Sequence, residues 1–78
     1  MKDFLTYIIT AIVSQPEEVQ IDEEESESVI ILRVQASEED MGRIIGKEGK
    51  TIRAIRTLIA TRATVENKKV IVELVDKK

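Results

Sequence analysis

The chain has 78 residues, the size of one small domain, and 42% of them are apolar, so a packed core is expected. It has no cysteine, which excludes disulfides, thiolate zinc sites and cysteine nucleophiles. It has no histidine either, which removes the usual general base and the commonest metal ligand. The longest apolar run, residues 29–32, is too short to span a membrane, and no signal-peptide pattern opens the chain, so a cytoplasmic protein is expected.

The net charge of −3 is the difference between two halves of opposite sign. Residues 1–40 contain 11 acidic and 2 basic side chains, whereas residues 41–78 contain 4 acidic and 10 basic ones. The basic excess is densest between Arg43 and Arg62, where Glu48 is the one acidic residue. A local basic patch sets the field that a phosphate experiences, so the acidic total does not exclude a nucleic-acid partner. Charge alone leaves open the alternative of a solvated helix face.

The first predicted element is an amphipathic helix over residues 3–14, closed by Pro16. Its apolar residues recur at helical spacing and form one stripe: Phe4, Leu5, Ile8, Ile9, Ile12 and Val13. We expect this stripe to face the core rather than a membrane surface or a partner, because the helix has almost no basic residues to hold it on lipid.

Two strands are predicted next. Residues 18–24 are expected to form a short edge strand, in which Val19 and Ile21 alternate with polar neighbours. The acidic run over residues 22–27 has the length of a hairpin turn and lacks the spacing and central glycine of a calcium loop, which predicts a solvated turn rather than a metal site. Residues 28–36 are the strongest strand prediction, because residues 29–32 are apolar on both faces and mostly β-branched, as expected of a central strand.

Two helices joined by a glycine loop follow. The first is predicted from an N-cap at Ser37 to about Ile45, with an acidic first turn that suits the helix dipole. The second is predicted from Lys50 to about Thr61. Apolar residues at helical spacing give each helix a side that faces the core: Met41, Ile44 and Ile45 in the first, and Ile52, Ile55 and Ile59 in the second.

A turn at residues 67–68 and a last strand over residues 70–75 complete the predicted elements. The fold class is therefore α+β, in the order α-β-β-α-α-β. We expect the first two strands to form a hairpin and the third to lie parallel to the second, reached by the two-helix crossover. Three helices then cover one face of a mixed three-stranded sheet.

The loop between the helices resembles two phosphate-binding patterns. Gly49, Lys50 and Thr51 match the end of an NTPase phosphate loop, but Ile44 stands where its first glycine belongs, and the loop follows a helix rather than a strand. No partnered nucleophile, metal set or phosphate loop is visible elsewhere in the sequence. We therefore expect neither an enzyme nor a cofactor.

The better match is Ile-Gly-x-x-Gly-x-x-Ile over residues 45–52, set between two short helices. Two glycines let the link turn sharply and let a phosphodiester backbone approach the peptide backbone. The free N–H groups at the start of the second helix favour an anion, and Lys47 and Lys50 add mobile positive charge. This is the GXXG loop with which KH domains hold about four nucleotides.

Residues 42–58, from Gly42 through this loop to Leu58, resemble the KH motif of the KhpA family, small single-KH RNA-binding proteins of bacteria. The resemblance covers residues 1–78 and implies a single KH domain of type II, with residues 46–49 as its GXXG loop. It implies partners as well: self-association into a homodimer, and pairing with a larger KH-containing protein, KhpB. It also implies a role as a post-transcriptional regulator or RNA chaperone. Glu48 departs from such loops, which often carry a neutral or basic residue there, and it cancels the charge of Lys47.

The resemblance and the loop chemistry together define the candidate RNA-binding residues: Arg43, Ile44, Ile45, Gly46, Lys47, Glu48, Gly49, Lys50 and Arg53. The backbone N–H groups of residues 47–50 are expected to face phosphate. The exposed parts of Ile44, Ile45 and Ile52 are expected to line a groove for bases with part of the strand over residues 30–34, although all three are also candidates for the core. The aromatic residues, Phe4 and Tyr7, both lie in the first helix, so base stacking is not expected.

A second class of function stays open beside RNA binding. It is a protein-interaction module, a degenerate KH fold used for dimerisation or docking with little RNA affinity. The acidic half and Glu48 favour it, whereas the basic stretch favours RNA. Leu58 lies roughly 90° from the core stripe of its helix, so it is expected either to be half exposed in a symmetric contact or to pack against the last strand.

Overall fold

The helices and strands of the computed structural model follow the predicted order α-β-β-α-α-β. It describes residues 1–75, with Glu66 by its backbone alone, so residues 76–78 of the expected domain lie outside the described residues. The elements are α1 (Lys2–Ile12), β1 (Gln20–Glu25), β2 (Val29–Gln35), α2 (Glu38–Ile45), α3 (Lys50–Glu66) and β3 (Lys69–Leu74). Single 3₁₀ turns lie at Pro16–Glu18 and Lys47–Gly49.

The three strands form one mixed sheet in the order β1-β2-β3. β1 and β2 are an antiparallel hairpin in which Ile21 lies opposite Val34, and β2 and β3 are parallel, with Leu32 opposite Val72. Both pairings confirm the predicted hairpin and the predicted parallel crossover. β2 is the central strand, as its apolar sequence indicated.

The core lies between one face of this sheet and the three helices. β2 buries alternate residues, Ile30, Leu32 and Val34, and its other side chains are half buried on the opposite face. The helices bury residues at the predicted spacing: Leu5 and Ile9 in α1, Met41 and Ile44 in α2, and Ile52, Ile55 and Ile59 in α3. The apolar stripe of α1 therefore faces the core, as predicted. Within residues 1–75, every helix is too short or too polar to cross a bilayer.

α1 ends at Ile12 and β1 begins at Gln20, each two residues from its predicted bound, and two other predicted boundaries are wrong by more. β1 continues through Glu25, so most of the acidic run lies in the strand and the turn is confined to residues 26–28. The strand tolerates its carboxylates because they point to solvent and two have cationic partners: Arg33 Nη1 donates to Glu24 Oε1 at 3.0 Å, and Lys68 pairs with Glu25.

The second boundary is the end of α3, which continues past Thr61 to Glu66. The helix continues over a further buried residue, Ala63, which lies one turn after Ile59 on the same face. Asn67 ends it in the left-handed conformation, at φ 57°, and the Lys68 N–H donates to the Ala63 carbonyl at 3.2 Å. This C-terminal cap confirms the predicted turn at residues 67–68.

Candidate nucleic-acid interface

A tight turn with three positive φ angles joins α2 to α3. Gly46 has φ 76° and ψ 172°, a combination that only glycine adopts readily. Glu48 (φ 57°, ψ 25°) and Gly49 (φ 74°, ψ 15°) are in the left-handed helical region. Hydrogen bonds from Gly46 N–H to Gly42 O, 2.9 Å, and from Gly49 N–H to Gly46 O, 3.1 Å, fix both ends of the turn. The two glycines therefore shape the loop, as predicted.

Gly46 is needed for a second reason, because α3 packs directly against it. A Cβ on Gly46 would lie 2.2 Å from Thr51 Oγ1 and 2.6 Å from Thr51 Cβ. A Cβ on Gly49 would meet no atom of the described residues within 4 Å. The first glycine thus permits a close contact between the loop and the start of α3, whereas the second adopts the left-handed backbone conformation of the turn.

The start of α3 presents backbone N–H groups and positive charge to solvent. α3 begins at Lys50, directly after the loop; its first turn has no acidic residue, and no side chain within residues 1–75 caps it. Lys47, Lys50 and Arg53 are exposed, and none forms an ion pair with another described residue. An anion at this end of the helix would meet both the helix dipole and three free cations.

The other basic residues of the predicted face are engaged within the protein. Arg56 Nη2 donates to the backbone carbonyl of Val72 at 3.1 Å. The Arg62 guanidinium lies over the Phe4 ring, 5.6 Å from its centroid, and joins α3 to α1. The basic stretch is therefore not one continuous free surface, and its unpaired charge is concentrated at the loop.

The three isoleucines near the loop differ in exposure. Ile44 is completely buried and Ile52 nearly so, which makes both core residues and corrects the expectation that their exposed parts line a groove. Ile45 was expected to face the core with Ile44, but it is 40% exposed. Adjacent helical residues differ in direction by about 100°, so the last residue of α2 turns away from the core that covers Ile44.

A groove of about 620 Å³ lies between α3 and the open edge of β3. Its lining comprises Arg56, Ala60, Val70, Ile71, Val72, Glu73 and Leu74. The Lys69 N–H donates to the Ser28 carbonyl, just before β2, and the Val75 N–H donates to Val34, so the alternating residues 70, 72 and 74 turn their N–H and C=O groups toward the groove. The strand over residues 30–34 cannot supply such an edge, because β2 is paired on both sides. β3 could not be assigned this role from the sequence, since strand order is not a local property.

A buried carboxylate fixes the start of α2. Asp40 is completely buried, and its Oδ1 accepts hydrogen bonds from the N–H and the Oγ of Ser14, each 2.9 Å. Its Oδ2 accepts from the Gln15 N–H at 2.9 Å. The hydrogen bond from the Ser14 backbone is the main reason that the pKa of Asp40 is lowered, against the opposing effect of burial. From the sequence, Asp40 was predicted only to belong to an acidic first turn. Its hydrogen bonds to Ser14 and Gln15 could not be predicted, because these residues lie 26 and 25 positions away in the chain.

The element order, the mixed sheet and the GXXG loop between the second and third helices define a small KH domain of type II. Over residues 2–74 the chain matches the family described as "KhpA/KhpB, KH domain", and it belongs to that family. This confirms the resemblance first seen in residues 42–58.

Full-length relatives agree with the family match. The RNA-binding protein KhpA of Chlamydia caviae is 49% identical over 78 residues, which are 100% of both chains. The RNA-binding protein KhpA of Clostridium perfringens is 44% identical over 75 residues, 96% of this chain and 100% of the relative. That of Listeria monocytogenes is 36% identical over 76 residues, 97% of this chain and 100% of the relative.

Proposed function

We propose that this protein binds single-stranded RNA and that residues 46–49, hereafter the clamp, hold the phosphate backbone. The observation that carries the proposal is the junction of the clamp with α3, where a glycine turn opens into a helix start surrounded by unpaired cations. The names of the relatives, which are RNA-binding proteins, support the same ligand.

Phosphate recognition rests on backbone groups and three side chains. The N–H groups of residues 47–50 lie at the turn and at the positive end of the α3 dipole, which favours an anion. Lys47 and Glu48 have opposite charges, so the net attraction comes mainly from Lys50 and Arg53 on the next turns of the helix. We therefore expect weak binding by one domain, with affinity that depends on salt.

Base recognition rests on the groove between α3 and β3. The groove lies along the helix that begins at the clamp, so a strand held by its phosphates at the clamp can lay its bases against β3. The backbone N–H and C=O groups of residues 70, 72 and 74 are suited to hydrogen bonds with base edges, and Arg56 adds further donors. Tyr7, in α1, does not line the groove, so selectivity would come from hydrogen bonds and aliphatic contacts rather than stacking.

An outward-facing apolar stripe on α3 supports a second activity, self-association. Leu58 is 50% exposed and Val65 is 82% exposed, and the seven-residue spacing places them on one outward face of the helix, beside the core stripe. Ala54, one turn before Leu58, is exposed on the same side. The exposure favours the open alternative for Leu58, a contact with a partner, over packing against the last strand.

Self-association and RNA binding are compatible, because the stripe and the groove use different sides of α3. Two clamps held together would raise the effective concentration of the second and lengthen the RNA that is recognised. The same reasoning applies to pairing with a larger KH-containing protein of the KhpB kind. Such weak, extended binding suits a post-transcriptional regulator or RNA chaperone better than a reader of one short sequence.

A fluorescence anisotropy titration with short single-stranded RNA tests the clamp. In the variant Lys47→Asp/Glu48→Asp the clamp charge falls from 0 to −2, and we expect binding to be lost. Aspartate tolerates the left-handed conformation of position 48, so the circular dichroism spectrum should be unchanged. Lys69→Asp is the matched control, because it makes the same charge change at an exposed position past the far end of α3, roughly 25 Å along the helix from the clamp. Equal affinities of both variants and the wild type would refute the clamp.

A further inference from the structure

Asp40 lies where α1, α2 and the approach to the clamp meet. It accepts three hydrogen bonds from Ser14 and Gln15, which follow α1, and its own N–H donates to the N-cap Ser37 Oγ at 3.3 Å. One carboxylate thus joins the chain after α1 to the first turn of α2. Since α2 runs directly into Gly46, its placement determines where the clamp begins.

Asp40 also holds a side chain that belongs to the candidate site. Arg43 Nε lies 3.4 Å from Asp40 Oδ1, and Arg43 Nη2 lies 3.7 Å from Glu39 Oε1. The arginine is half exposed, one helical turn before Gly46. A guanidinium has five N–H donors, so these two contacts leave donors free for a ligand.

We propose that Asp40 is a positioning residue for RNA binding, which fixes the start of α2 and the guanidinium of Arg43 so that Arg43 contributes a phosphate contact beside the clamp. The proposal rests on the proposed RNA-binding function. Asp40 itself cannot contact RNA, because its side chain is completely buried. Its effect must therefore be transmitted through Arg43, whose guanidinium it contacts and whose helix it anchors.

The sign of the effect separates this role from a simple charge effect. A negative charge near a phosphate site repels the ligand, so removing it should strengthen RNA binding if charge were all that mattered. If Asp40 positions Arg43, removing its charge should weaken RNA binding instead. Glu39 is the matched control, because it also faces Arg43 but is itself exposed.

The test compares Asp40→Asn with Glu39→Gln by anisotropy with the same short RNA. Asparagine keeps one oxygen that can accept from Ser14 but places an amide donor where Oδ2 accepts from the Gln15 N–H. We expect Asp40→Asn to weaken binding by about three- to tenfold, as for the loss of one charge-assisted contact, and to make the salt dependence shallower by about 0.7 in log K per log salt. Glu39→Gln should bind as tightly as the wild type or more tightly.

A double variant shows whether the effect passes through Arg43. In an Arg43→Gln background, Asp40→Asn should change the affinity by less than about twofold, because the two residues then act as one unit. Thermal unfolding followed by circular dichroism verifies that each variant is folded at the assay temperature. If Asp40→Asn does not fold, Ser14→Ala removes one donor and retains the charge, and it should weaken binding in the same direction.

Three outcomes would overturn the proposal. The first is an Asp40→Asn protein that is folded and binds RNA at least as tightly as the wild type. The second is that the effects of Asp40→Asn and Arg43→Gln on the binding free energy add fully. The third applies if Asp40→Asn fails to fold, and it is a Ser14→Ala protein whose RNA affinity is unchanged. A wild type that does not bind RNA at all would instead refute the proposed function, so the two failures are distinguishable.

Discussion

Arg56 and Val72 connect α3 to the free edge of the sheet: Arg56 Nη2 donates to the Val72 carbonyl at 3.1 Å. β3 is an edge strand, and an unpaired edge is a template for pairing with another strand. The arginine satisfies one of the carbonyls on that edge and is part of the lining of the groove between α3 and β3. It also brings unused N–H donors to the position where we propose that bases lie.

Arg56 and Arg53 should affect RNA binding in different ways. We expect Arg53→Gln to lower the affinity and to reduce the slope of log K against log salt by about 0.7, because it removes a phosphate contact. Arg56→Gln should lower the affinity with the slope unchanged and should reduce the differences among homopolymeric RNAs, because it contacts bases. Titrations at several salt concentrations measure both quantities. A reduced slope for Arg56→Gln would show that it binds phosphate instead.

The wild type should itself show a moderate dependence on salt. A clamp over about four nucleotides neutralises roughly three phosphates, which predicts a slope near −2 at about −0.7 per phosphate of a single strand. The same anisotropy titrations, extended over a range of potassium chloride concentrations, give this number. An affinity that does not change with salt would exclude the cations at the clamp as the binding surface.

The two clamp glycines should differ in what they tolerate. Gly49 is in the left-handed region that asparagine adopts, with no described atom within 4 Å of its Cβ position, so Gly49→Asn should cost no more than about 1 kcal/mol. Gly46 has a backbone conformation restricted to glycine and contacts Thr51, so Gly46→Asn should cost about 3 kcal/mol or more. Urea unfolding followed by circular dichroism measures both changes. Equal losses would mean that the Thr51 contact has no energetic consequence.

Much of this fold could be predicted because its signals are local. Helical spacing, the Ser37 cap and the glycine pair predicted α2, the clamp and the start of α3 from residues close together in the chain. What could not be predicted depends on contacts between distant segments. The bonds of Asp40 to Ser14 and the place of β3 beside Arg56 follow from the packing of whole elements. The end of α3 was missed for a different reason: Ala63 continues the spacing of Ile55 and Ile59 and is buried, but a small alanine is a weaker signal of a core position than isoleucine.

Protonation of Asp40 should make the protein less stable in acid. Its pKa is lowered in the folded state by hydrogen bonds from Ser14 and Gln15, so its contribution to stability is complete above its unfolded pKa, close to the ordinary aspartate value of 3.8. That contribution is lost as the pH falls from the unfolded pKa down past the lower pKa of the folded state. Urea midpoints measured from neutral pH down to about pH 3 should therefore fall at the acid end, and Asp40→Asn should flatten this part of the curve.

Glu25 is the control for that experiment. Its pKa is lowered by the hydrogen bond from Lys68, but the pair is at the surface, where ion pairs contribute little. Glu25→Gln should therefore leave most of the acid dependence intact. If Glu25→Gln flattened the curve as much as Asp40→Asn, the surface pair rather than the buried carboxylate would govern acid stability.

Leu58 provides the test of self-association. Its side chain is half exposed and shares an outward face of α3 with Val65, so a charge there should disrupt a partner contact without entering the core. We expect the wild type to sediment as a dimer at micromolar concentrations and Leu58→Glu to sediment as a monomer with an unchanged circular dichroism spectrum. Thr57→Glu is the matched control, because it adds the same charge at an exposed position about 100° around the helix.

RNA binding then distinguishes a dimer contact from damage to the site. Leu58→Glu should bind a short RNA as the wild type does, because the clamp and groove are untouched, but it should bind a longer RNA less tightly, because the second clamp is no longer held nearby. A wild type that is monomeric at high micromolar concentration would refute the dimer. A Leu58→Glu protein that unfolds rather than dissociates would place Leu58 in the core, in conflict with its 50% exposure.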